Sequence, residues 1–259
     1  MEHTYWLRQS DKPLFPDILW SRPESKSGSG KLAIIGGNSH GFGAPGIAYG
    51  SANSIGAGVV RVLLPDAVKK VVKGLLPDAD FAPSTPSGSF NKQALSDLLQ
   101  LHNWADCTLL AGDVGRNSET AILLEQFIQK SSGLLTITQD AVDYFKEIPL
   151  QIMDRENTLI VLSIAQLQKM FINTPTITPI TLSMSAPQLA EALHDYTLEH
   201  SATIVTKHND LIFVADKGRV SSTKNEEKIW RVMTAAKMSV FWMQNPDKVF
   251  ESVTSALAI

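Results

Sequence analysis

Short apolar runs, separated by stretches with helical spacing, organise the chain from residue 31 onward. Leu32-Ala-Ile-Ile35 is apolar at every position and ends at Gly36-Gly37, the pattern of a strand covered on both faces. Val59 to Leu64 predicts the next strand. Between them the small residues Ala48, Gly50, Ser51, Ala52 and Ser54 predict a closely packed helix, with Pro45 in its first turn and Gly56-Ala-Gly58 after its end. Residues 31–64 therefore predict one right-handed strand, helix, strand crossover. The alternation continues with a helix near Asn91–Leu101, a strand at Thr108–Ala111, a helix at Ser118–Lys130 and a strand at Gly133–Thr138. Further strands are predicted at Leu159–Leu162, Ile180–Met184 and Ala202–Thr206, with Asp210–Ala215 pairing antiparallel around the turn Asp216-Lys-Gly218. Near the end, Ile229, Val232, Met233, Ala236, Val240 and Met243 share one helical face until Asn245-Pro246 stops the run. The expectation is a doubly wound α/β fold of three layers in a single domain. Residues 1–30, rich in Pro, Ser and charge, read as an extended arm laid over it rather than as a core element.

Composition narrows the partners. A chain of 259 residues with 44% hydrophobic content can bury a large core, and its net charge is only −3. Lysines and arginines are scattered, with no basic stripe interleaved with aromatics, so nucleic acid is not an expected partner. The amino terminus MEHTYWLRQSDK has neither a basic flank nor an apolar core, and no stretch of about 18 apolar residues occurs, so no membrane partner and a cytoplasmic location are expected. Cys107 is the only cysteine, which excludes an intrachain disulfide and reads as a small buried hydrophobe.

The segment Gly36-Gly-Asn-Ser-His-Gly-Phe-Gly-Ala-Pro45 joins a predicted strand to a predicted helix, where glycines bring backbone amides close to a ligand and a helix start favours anions. It matches neither the P-loop nor the dinucleotide fingerprint, so a ligand loop and a tight structural turn both remain open. Lys207 reads either as a phosphate ligand or as a solvated strand end. Asp113 and Asp140 are carboxylates near the crevice, able to meet Mg²⁺ or a ribose. Glu226 and Glu227 follow Asn225 and fit a helix cap with first-turn acids, the alternative being a general base. His40, His102, His194 and His200 read as surface or packed side chains, and no metal site built from protein ligands is expected.

From Arg22 through Pro65, the arginine, the glycine-rich loop, Gly-Ala-Pro and the small-residue helix ending in Gly-Ala-Gly together resemble the opening of the NAD(P)H-hydrate dehydratases of the ribokinase-like superfamily. Leu110-Ala-Gly-Asp-Val-Gly-Arg116 resembles that family's Gly-Pro-Gly-Leu-Gly loop. Thr138-Gln-Asp-Ala-Val142 resembles its Asp-Ala-Asp-Ala-Leu strand end, and Val205-Thr-Lys-His-Asn209 its Leu-Lys-Gly nucleotide segment. The resemblance spans residues 22–220. It implies a ribokinase-like three-layer α/β/α sandwich with a mostly parallel central sheet, and ADP- or ATP-driven repair of hydrated NADH or NADPH with Mg²⁺. It also implies substrate-binding residues Gly37, Asn38, Ala44, Gly115 and Asp140, nucleotide-binding residues Lys207, His208 and Asn209, an NAD(P)H-related ligand, and a homo-oligomer.

The departures from that pattern lie in one crevice. Where the family starts a late helix with Gly-Gly-Thr-Gly-Asp, as anion hole and general base, the matching stretch is Lys228-Ile-Trp-Arg-Val232. Its Thr-Pro-His-x-Gly-Glu loop is replaced by Ser163-Ile-Ala-Gln-Leu167. Thr138 stands for a first aspartate, His208 follows Lys207 in place of glycine, and the chain ends at Ile259 before the last helix that the family leads one to expect. No catalytic residue is assigned, and an impaired or lost catalytic site is the expectation. A dehydratase with its base from Glu226, Glu227 or a partner subunit, a non-catalytic binding or interaction module, and a small-molecule kinase of the same superfamily are the readings weighed. The kinase needs the same glycine hole and aspartate, so the same replacement opposes it.

Overall fold

In the computed structural model, the described residues are 4–10, 12–72, 74–76, 79–174 and 178–259. The strands are β1 (Trp6–Gln9), β2 (Lys31–Gly36), β3 (Val59–Pro65), β4 (Ala79–Ala82), β5 (Cys107–Gly112), β6 (Leu134–Thr138), β7 (Thr158–Ser163), β8 (Thr203–His208), β9 (Leu211–Asp216) and β10 (Arg219–Lys224). The helices are α1 (Pro16–Trp20), α2 (Gly43–Ser54), α3 (Lys69–Val72), α4 (Leu95–Trp104), α5 (Ser118–Lys130), α6 (Leu150–Met153), α7 (Ile164–Ile172), α8 (Ala186–Glu199), α9 (Arg231–Gln244) and α10 (Val249–Ser255). The strands form one sheet in the order β1-β10-β9-β8-β7-β6-β5-β2-β3-β4. Only β9 runs against the others, pairing antiparallel with β8 and with β10. The mostly parallel α/β sheet expected from the strand pattern is thus present.

Strand residues alternate between two apolar layers. Ala33, Ile35, Leu110, Ile137, Ile160 and Leu162 face one layer, which α4, α5, α7 and α8 cover. Leu32, Ile34, Leu109, Ala111, Leu159 and Val161 face the other, covered by α2, α9 and α10. This is the three-layer arrangement, and its two faces explain why the central strands read as unbroken apolar runs. Among the described residues, no helix is long and apolar enough to cross a membrane.

Three expectations need correction. Residues 180–184 form no strand, because β7 and β8 hydrogen-bond directly and leave no gap in the sheet; the segment instead leads to Ser185 and the start of α8. The first thirty residues are more than an arm. Residues 6–9 add β1 to the sheet edge, parallel to β10, and Ile18 of α1 is buried against α10; residues 1–3 and Asp11 lie outside the described residues. Ile229 is not part of the late helix: it is 73% exposed, and α9 begins at Arg231. After α9, α10 packs on α9 and β9 with Phe250 and Val253 buried.

Candidate functional site

The sheet order places a switch point between β2 and β5, because the chain leaves β2 toward β3 and β4 and returns on the other side. Crevices at the carboxyl ends of strands form at such points. The Gly37 amide donates to the Gly112 carbonyl at 3.0 Å, and a Cβ on Gly36 would lie 2.4 Å from that same oxygen. Only glycine lets the two strand ends approach so closely.

The loop that follows is fastened from inside. Asn38 pairs its backbone with Gly41, its Nδ2 donates to the Asp113 carbonyl, and its Oδ1 accepts from the His40 amide at 2.7 Å. The Ala44 amide, in the first turn of α2, donates to Asp113 Oδ2 at 2.7 Å. The residue before α2, Phe42, supplies no side-chain cap, so Asp113 provides the carboxylate that this helix start favours. Asp113 does so from a left-handed backbone, φ +56°.

Asp140 lies beside it. Its Oδ2 accepts from the Gly115 amide at 3.2 Å, while Oδ1 is buried without a hydrogen-bond partner. Burial pushes its carboxyl above the usual aspartate range and the Asp113 charge adds to this, against the backbone donors of Asp113, Gly115 and Val114. Gly37, Asn38, Ala44, Gly115 and Asp140 are thereby gathered around Asp113.

The nucleotide candidates sit at the end of β8. Lys207 Nζ donates to Asn225 Oδ1 at 3.0 Å and to the Glu227 carbonyl at 2.6 Å. Lys207 and Asn209 line a cleft of about 570 Å³ with Trp230 and Lys228. His208 does not join them: it is buried, with Nε2 hydrogen-bonded to the Met184 carbonyl at 2.7 Å. Asn209 holds the β8–β9 turn at φ +54°. Asn225 caps a turn rather than a helix, because its Oδ1 accepts from the Glu227 amide at 3.1 Å, four residues ahead of α9. Glu226 pairs with Lys224 at 2.8 Å on the surface, and that lysine lowers its carboxyl.

The start of α9 is closed by side chains. Arg231 donates through Nη1 to Gln166 Oε1 at 2.9 Å. Gln166 also accepts from the Ser163 amide at 3.1 Å and donates to the Gln139 carbonyl at 2.8 Å and Asp143 Oδ1 at 3.1 Å. One glutamine therefore joins the ends of β6 and β7 to α9. Burial lowers the Arg231 guanidinium, and Asp143 and Asp140 oppose that shift. Gln166 was not among the residues read as functional; the signal for it is the spacing Ser163-x-x-Gln166, a capping box that starts α7. Thr138, in place of a carboxylate, is buried and donates to the Val161 carbonyl at 2.8 Å. Among the described residues, no group of three His, Cys, Asp or Glu side chains is placed to hold a metal.

No protein-family model matches the chain. It is 34% identical over 101 residues to the bifunctional NAD(P)H-hydrate repair enzyme Nnr of Methanothermobacter thermautotrophicus, a match covering 39% of the chain and 19% of that protein. The corresponding enzyme of Dictyoglomus turgidum is 25% identical over 144 residues, 53% of the chain and 28% of its own length. The chain thus matches under a third of the length of these bifunctional relatives. An ATP-dependent (S)-NAD(P)H-hydrate dehydratase of Caenorhabditis briggsae is 23% identical over 247 residues, 90% of the chain and 77% of that protein. A ribokinase-like superfamily protein of Enterococcus faecalis superposes with a TM-score of 0.74 at 17% identity, over all of the chain and 87% of its own. The chain has the ribokinase-like fold and resembles the NAD(P)H-hydrate dehydratases. A further neighbour, the ADP/ATP-dependent NAD(P)H-hydrate dehydratase of Bacillus subtilis co-crystallised with ATP/Mg²⁺, superposes with a TM-score of 0.61 at 13% identity over 90% of this dehydratase-like chain and 79% of its own.

Proposed function

We propose that this is a NAD(P)H-hydrate dehydratase-like protein without dehydratase turnover, acting as a binding module on the ribokinase-like fold. The Arg231–Gln166 contact carries the reading. Where a phosphate would meet bare amides and a base, the chain presents Trp230 just before α9, then a half-buried Arg231 tied to Gln166 and a buried Val232. An anion hole needs unhindered donors aimed at the developing charge, and a base needs an acceptor within hydrogen-bond reach of the proton.

The residues do not fit an ATP·Mg²⁺ phosphate tail. Lys207 is bound to Asn225 and the Glu227 carbonyl, Asp113 is bound to α2, and Glu226 lies on the surface. The cleft of about 570 Å³ keeps an apolar wall at Trp230 and Ile164, which suits a nucleoside or another planar ligand more than a triphosphate.

Calorimetry with adenosine, ADP, ATP·Mg²⁺ and NADPH, beside an absorbance assay on hydrated NADPH, tests this. Phosphates should add no affinity over adenosine, and the nicotinamide absorbance should not recover. Recovery of absorbance driven by ADP or ATP would overturn the reading.

A further inference from the structure

A second cleft, of about 510 Å³, opens between the start of α5, the 3-10 segment Gln139–Phe145 and α7. Arg116, Lys146 and Lys169 are in its wall. Each of the other six arginines has a partner. Arg8 lies over Trp6, Arg22 donates to the Ile55 carbonyl, Arg61 pairs with Asp80, Arg155 donates to the Gly133 carbonyl, Arg219 pairs with Glu251, and Arg231 donates to Gln166. Arg116 has no such partner among the described residues, and neither Lys146 nor Lys169 enters an ion pair there.

Two carboxylates share the wall, and each accepts a hydrogen bond from a neutral donor. Asp140 takes the Gly115 amide through Oδ2 and keeps Oδ1 buried; Asp143 takes Gln166 Nε2. The frame is also fixed, because the Tyr144 hydroxyl donates to the Gly115 carbonyl at 2.8 Å and accepts from the Asn117 amide at 3.2 Å. Asn117 Oδ1 in turn holds the Glu119 and Thr120 amides of α5. Three cations against two occupied carboxylates leave a local positive excess in a chain whose net charge is −3. Like charges around a concave wall repel one another and focus a positive potential into it.

We propose that this cleft binds a small phosphomonoester, with the Arg116 fork on its phosphate oxygens, Lys146 and Lys169 neutralising the remaining charge, and a sugar-sized organic part resting on Ala121 and Tyr144. Arginine suits the role because its planar donors match phosphate oxygens two at a time. The volume lies within the usual span of small-molecule sites, roughly 300 to 1,000 Å³, far more than a bare phosphate fills. The cleft shares no residue with the one beside Lys207, but Gly115 and Asp140, which the resemblance places at the substrate, are in its wall; ribose 5-phosphate, which has no adenine, tests it apart from the adenosine titration.

The test is calorimetric titration of the full chain with ribose 5-phosphate and with ribose, at low ionic strength. Saturable binding is expected for ribose 5-phosphate and none for ribose. Arg116→Gln and the double variant Lys146→Gln/Lys169→Gln should each weaken it about tenfold or more, and Lys228→Gln, in the other cleft, should not change it. These side chains are without ion-pair partners among the described residues, so the variants should melt with the parent protein. Absence of saturable binding, or equal affinity in the parent and Arg116→Gln, would overturn the proposal.

Discussion

Gln166 Oε1 accepts a hydrogen bond from Arg231 at 2.9 Å while the amide nitrogen of the same side chain donates to the Gln139 carbonyl at 2.8 Å. The two bonds make Gln166 the tie between α9 and the strand ends it covers. Gln166→Ala removes the whole set and leaves Arg231 and the Ser163 amide without this acceptor, a loss of about 2 kcal/mol at the usual worth of bonds to charged and neutral groups. Arg231→Ala removes only one bond and should cost less, about 1 kcal/mol. Urea denaturation of both variants and the double variant should show losses that are not additive, as expected for residues in contact.

Asp113 offers a test in which backbone and side chain pull in opposite directions. Asp113→Ala loses the bond to the Ala44 amide and keeps the left-handed backbone, φ +56°, for a cost of about 2 kcal/mol. Asp113→Gly also loses the bond, yet glycine adopts that conformation freely. The glycine variant should therefore be the more stable of the two in denaturant titrations; the reverse order would show that the left-handed backbone at this position carries no strain.

Gly112 is constrained from two sides. Its φ is +102°, and a Cβ there would stand 2.4 Å from the Gln139 Cβ and 2.9 Å from Asp140 Oδ1. Gly112→Ala should destabilise by roughly 3 kcal/mol or more, combining backbone strain with overpacking, and thermal melting will read it.

Much of the fold is written in the apolar runs. Leu32-Ala-Ile-Ile35 and Thr108–Ala111 announce their strands because both faces are covered, and Ser118–Lys130 matches α5 residue for residue. The elements that escape are those without a pattern of their own. β4 is four residues, Ala79–Ala82, whose burial is only partial, and β1 pairs with a strand whose position no local spacing reveals. Around Asp113, the placement of the glycines and Asp140 follows from motif order, whereas the contacts of Gln166 and Lys207 depend on partners far along the chain: Arg231 is 65 positions from Gln166 and Asn225 is 18 from Lys207. Sequence spacing cannot tell whether Lys207 meets a ligand or an asparagine of the same chain.

Asp140 sets a pH dependence. Its folded carboxyl titrates above the ordinary aspartate value because burial disfavours the charge. In the window between the unfolded and folded values, the folded state binds more protons, so stability falls as pH rises through that window. The parent protein should thus gain stability on acidification just above pH 4, at the ordinary aspartate range. Asp140→Asn, which keeps an acceptor for the Gly115 amide, should lack that slope and be the more stable protein at neutral pH. Denaturation midpoints measured across the acid range will decide it.

Cys107 is buried on β5, and its thiol is pushed up to about 12, chiefly by that burial. The thiolate is the reactive form. An aromatic disulfide reagent at neutral pH should therefore leave the native protein unmodified and react with one equivalent once urea unfolds it.

The pairing of Trp6 with Val220 and of Gln9 with Thr223 has a consequence for the sheet edge. Gln9 Nε2 meets Thr223 Oγ1 across 214 positions, and the Thr254 carbonyl across 245. β1 has its edge to pair with only where β10 lies in the sheet beside β9, so its place depends on residues more than 200 positions further along. A chain without residues 6–9 would expose the outer side of β10, a row of unsatisfied peptide groups open to pairing with another molecule.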